Sequence, residues 1–116
     1  MAIARIASVA VPVSDHEQAL RLYRDVLGFT VIQDRVDPLL GRTMQLVAPS
    51  GGASIILVPG TDAHPAGTAV GAALQVRDML EAIERLAHGG FPVTIQVSRS
   101  GPAVGAWAQF EDADGN

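Results

Sequence analysis

Apolar residues recur along this chain in two rhythms, one of period two and one of period 3.6, and the order of the rhythms repeats. Residues 6–13 alternate around Val9, Val11 and Val13, the mark of a half-buried strand. Ser14 follows as a helix cap, with Glu17 three residues on at capping-box spacing. Ala19, Leu20, Tyr23, Val26 and Leu27 then fall at i, i+1, i+4, i+7 and i+8, one face of a helix that Gly28 ends. Residues 29–33, 43–47 and 54–58 read as three more strands, with Pro49-Ser50-Gly51-Gly52 as the turn between the last two. The first unit is βαβββ.

Residues 60–68 form a polar, turn-rich linker. Residues 69–76 read as the next strand, and Asp78 caps a second helix, with Glu81 completing its capping box. Met79, Ala82, Ile83, Leu86 and Ala87 line the buried face, and Gly89-Gly90 stops it. Residues 93–97 and 106–110 read as strands around a mobile loop at 98–105. Asp112-Ala113-Asp114-Gly115-Asn116 carries hairpin-turn chemistry. A hairpin turn requires a following strand, and the sequence ends before one.

The two units echo each other in detail. Val13 and Val76, Asp15 and Asp78, Ala19 and Ala82, and Leu20 and Ile83 pair at one constant offset. Gly28 and Gly90, Phe29 and Phe91, and Val31 and Val93 pair at an offset one residue shorter, so the second helix lacks one residue. Such a duplication implies two similar units, neither able to bury its own apolar face, that stack to make one core. The chain is expected to be a single domain over 1–116, with module one at 1–59, the linker at 60–68 and module two at 69–116.

Composition narrows the function classes. Twelve acidic residues face eight arginines and no lysine, for a net charge of -4. An acidic chain without a basic cluster is not a nucleic-acid binder, since phosphate neutralisation supplies most of that affinity. The missing lysine removes Schiff-base chemistry, and the absence of cysteine removes disulfides, thiolate metal sites and cysteine nucleophiles. No apolar run is long enough to span a bilayer and no signal peptide is evident, so a cytoplasmic protein without a membrane partner is expected. Hydrophobic content of 48% fits extensive burial, including a subunit contact.

Val13-Ser14-Asp15, the helix end Tyr23-Arg24-Asp25-Val26-Leu27-Gly28-Phe29 and the closing Phe110-Glu111-Asp112-Ala113-Asp114-Gly115-Asn116 resemble the glyoxalase/bleomycin-resistance/dioxygenase family, the vicinal oxygen chelate (VOC) superfamily. The resemblance runs over essentially the whole chain. It implies an α+β fold of paired βαβββ modules, forming a U-shaped, partly open barrel around a cavity, usually in a homodimer. Here the last strand is expected to be missing from the chain, because family members continue past the position of Asn116 into a strand that carries a metal-binding glutamate. Ala113 stands where the family commonly has proline. Members include metal-dependent lyases, isomerases and dioxygenases alongside metal-free drug-binding proteins.

Counting from the matched motifs, the family's metal-ligand positions fall at Ser8, at Gly71 or Ala72, and at Ile55 or Ile56. None offers a competent donor, so neither metal nor other cofactor is expected. His16 in a first helical turn, His88 at a helix end and His64 in the linker read as surface residues. Arg42 and Arg99, beside loops, are candidates to meet an anionic ligand. The Asp112 turn lacks the glutamate and flanking helices of a calcium loop.

Alternation assigns the cavity. With Val9, Val11 and Val13 toward the helix, Ser8 and Ala10 face inward. The repeat puts Ala72, Leu74 and Val76 against helix two and leaves Gly71, Ala73 and Gln75 inside. The resemblance implies that Phe110 packs against a helix, which turns Trp107 and Gln109 inward. Met44 and Leu46, or else Gln45, add from the third strand, and Ile56 from the fourth. Ser8, Met44, Ile56, Gly71, Gln75, Trp107 and Gln109 thus outline an apolar pocket with one indole and two amides, suited to a flat organic molecule. The expected function is metal-free binding of an apolar or aromatic compound. The alternative is a metal-dependent lyase, isomerase or dioxygenase, with His64 and residues beyond Asn116 as donors.

Overall fold

A computed structural model describes residues 6–69, 73–97 and 107–116. Four strands, β1 (Ser8–Val13), β2 (Thr30–Asp37), β3 (Gly41–Val47) and β4 (Ser54–Pro59), form one sheet in the order β1-β4-β3-β2. β1 runs parallel to β4, and the other two pairings are antiparallel. The parallel pairing follows from the helix after β1, which carries the chain back so that β2 runs in the same direction, and two antiparallel steps later β4 does too. β2 continues four residues past the expected 29–33, and Gly41 opens β3 two residues early. Together they make a long hairpin with a bulge between Val31 and Gln33. β5 (Ile95–Val97) and β6 (Trp107–Gln109) pair antiparallel as a second small sheet. The expected strand at 69–76 does not form over 73–76, and residues 70–72, with the loop at 98–105, lie outside the described residues.

The first helix begins as α1 (His16–Leu20) and runs directly into a π-helical turn over Arg21–Val26. The second, α2 (Met79–His88), is regular. This difference explains the offset change in the repeat. Tyr23 and Leu86 keep the longer offset and are both buried, whereas Gly28 and Gly90 keep the shorter one. The extra residue of the first helix is taken up as a widened turn, with the Leu27 N–H donating to the Leu22 carbonyl five residues back at 2.9 Å. The Phe29 N–H closes the helix end on the Tyr23 carbonyl, and the Phe91 N–H closes its counterpart on Leu86, one residue tighter. Gly28 and Gly90 follow with φ of 79° and 90°, the left-handed turn that ends a helix.

Helix capping departs from expectation. Asp15, not Ser14, caps α1, and its carboxylate accepts from the Glu17 and Gln18 N–H groups. Asp78 does the same for α2 from Glu81 N–H. The repeat had aligned these two aspartates. Ser14 instead donates its hydroxyl to Asp114 at 2.6 Å, and its N–H to the same carboxylate at 3.1 Å.

The core lies between the first helix and one face of the sheet. Val11 and Val13 of β1, Met44 and Leu46 of β3 and Ile55 and Leu57 of β4 alternate onto it, against Ala19, Leu20, Leu22 and Tyr23. Leu86 of α2 joins from the second half. Tyr23 and Phe29 meet edge to face, with ring centroids 6.3 Å apart. His16 is buried here, contrary to its reading as a surface residue, with Nε2 3.2 Å from the Leu57 carbonyl. Its place in the first turn points it down onto the sheet.

Candidate ligand-binding face of the sheet

The opposite face of the four-stranded sheet carries the residues that alternate away from the core. Cα register sets Ala10 beside Ile56, Ile56 beside Gln45, and Gln45 beside Gln33, a row running across β1, β4, β3 and β2. Arg35 and Thr43 pair in the next row. Side chains of Gln33, Arg35, Leu40, Thr43, Gln45 and Ile56 enclose a hollow of about 100 Å³. Its lining combines two aliphatic side chains with two amides, a hydroxyl and a guanidinium.

The polar groups of this face differ in how far they are engaged. Gln45 donates its amide to the Ser54 hydroxyl at 2.9 Å, and that hydroxyl donates to the Ala7 carbonyl. This chain of bonds fixes the Gln45 amide. Arg42 reaches away from the hollow to Asp34 at 2.8 Å and Glu17 at 2.9 Å. Those bonds hold the guanidinium charged and push the Asp34 carboxyl below its ordinary range. With two carboxylates already on it, Arg42 has little left for a ligand. Arg35 makes no hydrogen bond among the described residues and stands 3.9 Å from Asp37. The Asp37 carboxylate is meanwhile held by the Leu40 and Leu39 N–H groups, which lower its pKa.

The structure separates the residues expected to form one pocket. Ile56 lines the hollow, and half-buried Ser8 shares its face of the sheet. Met44 does not: it is only 1% exposed in the core, because β3 takes the other alternation and presents Gln45. Gln75 and Gln109 are exposed and do not line this hollow. Leu74 and Val76, expected against helix two, are exposed as well. Gly71 lies outside the described residues. Trp107 is placed on β6 by its backbone. Gln33 and Thr43 stand at the ends of the strands expected at 29–33 and 43–47, and Arg35 and Leu40 fall between those strands, in no expected element. The every-other-residue spacing of Gln33 and Arg35 behind Val31 was the available signal.

A second feature read only as a turn has a larger structural role. Asp112 is buried, and its carboxylate accepts from the Tyr23 hydroxyl, the Asp114 and Asn116 N–H groups and the Asn116 amide. Asn116 also donates to the Pro12 carbonyl and accepts from Ala69 N–H. Burial, with the Asp112 charge beside it, drives the Tyr23 phenol well above its ordinary pKa. The turn therefore ties β1, the first helix and the linker together. Gly67 lets the linker pass it, since a Cβ there would meet the Asp114 carbonyl.

As for metal ligands, the positions at which the resemblance implies them include Ser8 and either Ile55 or Ile56, and none of these side chains suits a divalent ion. Among the described residues no three His, Asp or Glu side chains converge as a ligand set. His64 is exposed in the linker, where its backbone and Thr61 bond each other. No described helix is long and apolar enough to cross a membrane.

The chain belongs to the Glyoxalase/Bleomycin resistance protein/Dioxygenase superfamily, whose model matches residues 5–116. Its α+β architecture is shared with solved members. It is similar to TnmS3, an antibiotic binding protein from Streptomyces sp. CB03234, at 31% identity and a TM-score of 0.84, covering 100% of this chain and 93% of that one. A superfamily member from Sphaerobacter thermophilus DSM 20745 is 30% identical with a TM-score of 0.84, covering 98% and 93%. A glyoxalase/bleomycin resistance protein from Streptomyces sp. CB03234 is 31% identical with a TM-score of 0.79, covering 96% and 94%. Among curated proteins none matches.

Proposed function

We propose that this protein is a metal-free small-molecule-binding protein that sequesters an apolar or aromatic compound, as a cytoplasmic homodimer. The observation that carries this reading is the sheet face itself, where Ile56 and Leu40 stand among four hydrogen-bonding side chains. Donor-less side chains at the family's ligand positions support the metal-free part, and the antibiotic-binding likeness of TnmS3 supports the ligand type. Ser8 and Ile56 of the residues expected from the sequence share this face. Val36 and Leu39 at the β2–β3 hairpin tip are 79% and 94% exposed, which supports a subunit contact.

The test joins elemental analysis of the purified protein with titration of its single tryptophan, Trp107, by a panel of neutral aromatic compounds. The expected result is no stoichiometric transition metal and a saturable emission change. Zinc, nickel, manganese or iron at one per chain would overturn the metal-free reading. Emission unchanged by every compound would overturn ligand binding.

A further inference from the structure

Resting on that reading of the site, we infer that the hollow selects anionic aromatic compounds, with Arg35 taking a ligand carboxylate and the Gln33 and Gln45 amides its neighbouring oxygens. The ring lies on Ile56 and Leu40.

Three observations carry this. The two cations nearest the hairpin are in opposite states. Arg42 is neutralised by Asp34 and Glu17 at hydrogen-bond distance, while Arg35 lines the hollow with no hydrogen bond among the described residues. The one carboxylate beside Arg35, that of Asp37, is 3.9 Å away and already accepts two backbone N–H bonds through its other oxygen. An incoming carboxylate can therefore reach the Arg35 fork bidentately without displacing a hydrogen bond, competing only with the long ion pair to Asp37. Finally, the hollow is rich in donors. Gln33 and Gln45 each offer an amide, Thr43 a hydroxyl, and no lining side chain is acidic. A ligand with acceptor oxygens on an aromatic frame matches that wall, and a cationic ligand would meet Arg35 directly. The net charge of -4 opposes an anion only at long range, where salt screens beyond about 8 Å.

The experiment titrates isotope-labelled protein with 2-naphthoate and with its neutral isostere 2-naphthamide, following the side-chain amide resonances of Gln33 and Gln45. The expected result is that both shift these resonances and that naphthoate binds about tenfold more tightly, about 1.4 kcal/mol. In Arg35→Gln the difference should vanish while naphthamide affinity holds, and Arg35→Lys should restore part of it. Equal affinities in the wild type, or a preference that survives Arg35→Gln, would overturn the anion assignment and leave small-molecule binding standing. If neither compound moves the Gln33 and Gln45 amides, both the assignment and the reading of this face as the site fail.

Discussion

Asp112 gathers four donors in a buried position, and one of them is the hydroxyl of the chain's single tyrosine. Removing the carboxylate leaves those donors unpaired, so Asp112→Ala should cost about 3 kcal/mol, read from urea unfolding. Alkaline titration should expose the same contact. The Tyr23 phenol has a folded pKa above its unfolded value, so its proton stabilises the fold. That contribution is fully present below about pH 10, the unfolded value, and is lost as pH rises past it. Phenolate absorbance should therefore appear only together with unfolding, and Tyr23→Phe should flatten the alkaline loss of stability. An early, non-cooperative phenolate signal would contradict the contact. In the core, Leu57 is fully buried, so Leu57→Ala should cost about 2–5 kcal/mol.

Among the elements, the first helix makes the clearest case. Its π-helical turn absorbs one residue that α2 lacks, so deleting exposed Asp25 should let the helix revert to regular geometry with Tyr23 still buried. Deleting exposed Glu84 from α2 has no such slack and rotates Leu86 out of register. Circular dichroism and thermal melting should find the Asp25 deletion folded, with the higher Tm. Gly28→Ala tests the helix end: φ is 79° and the nearest atom to a new Cβ, Pro49 Cγ, is 3.7 Å away. The cost is then backbone strain alone, about 1 kcal/mol. The one-residue difference was visible in the sequence as a repeat whose offset changes by one, and Gly28 as the helix end, while the π-helical turn that absorbs the difference was not. The cap was not, because Ser14 and Asp15 are both good caps, and only Asp114, a hundred residues away, decides that Ser14 is engaged elsewhere. The register of β3 was left open between Met44 and Gln45 for a similar reason. A segment with apolar residues on one parity and a bulged partner strand fits either face until neighbours fix it.

Across the whole molecule, an open sheet with an apolar hairpin tip frames the question of assembly. If the homodimer is built through that tip, Val36→Asp with Leu39→Asp should weaken association about a hundredfold, about 2.7 kcal/mol, by sedimentation velocity. An unchanged dimer would move the contact elsewhere. At this scale the fold was legible because its motifs recur over the full chain, while the binding face was not. Arg35, on which the proposed site rests, lies between the strands expected at 29–33 and 43–47, and charge pairing between Arg42 and two carboxylates cannot be read from spacing alone.

The knot at Asp112 also sets an order of events during synthesis. β1 and the first helix leave the ribosome early, yet the carboxylate and amide that fasten them arrive only with residues 112–116. The amino-terminal half therefore lacks these fastenings until residues 112–116 have been made, so closure of its long-range contacts paces its maturation.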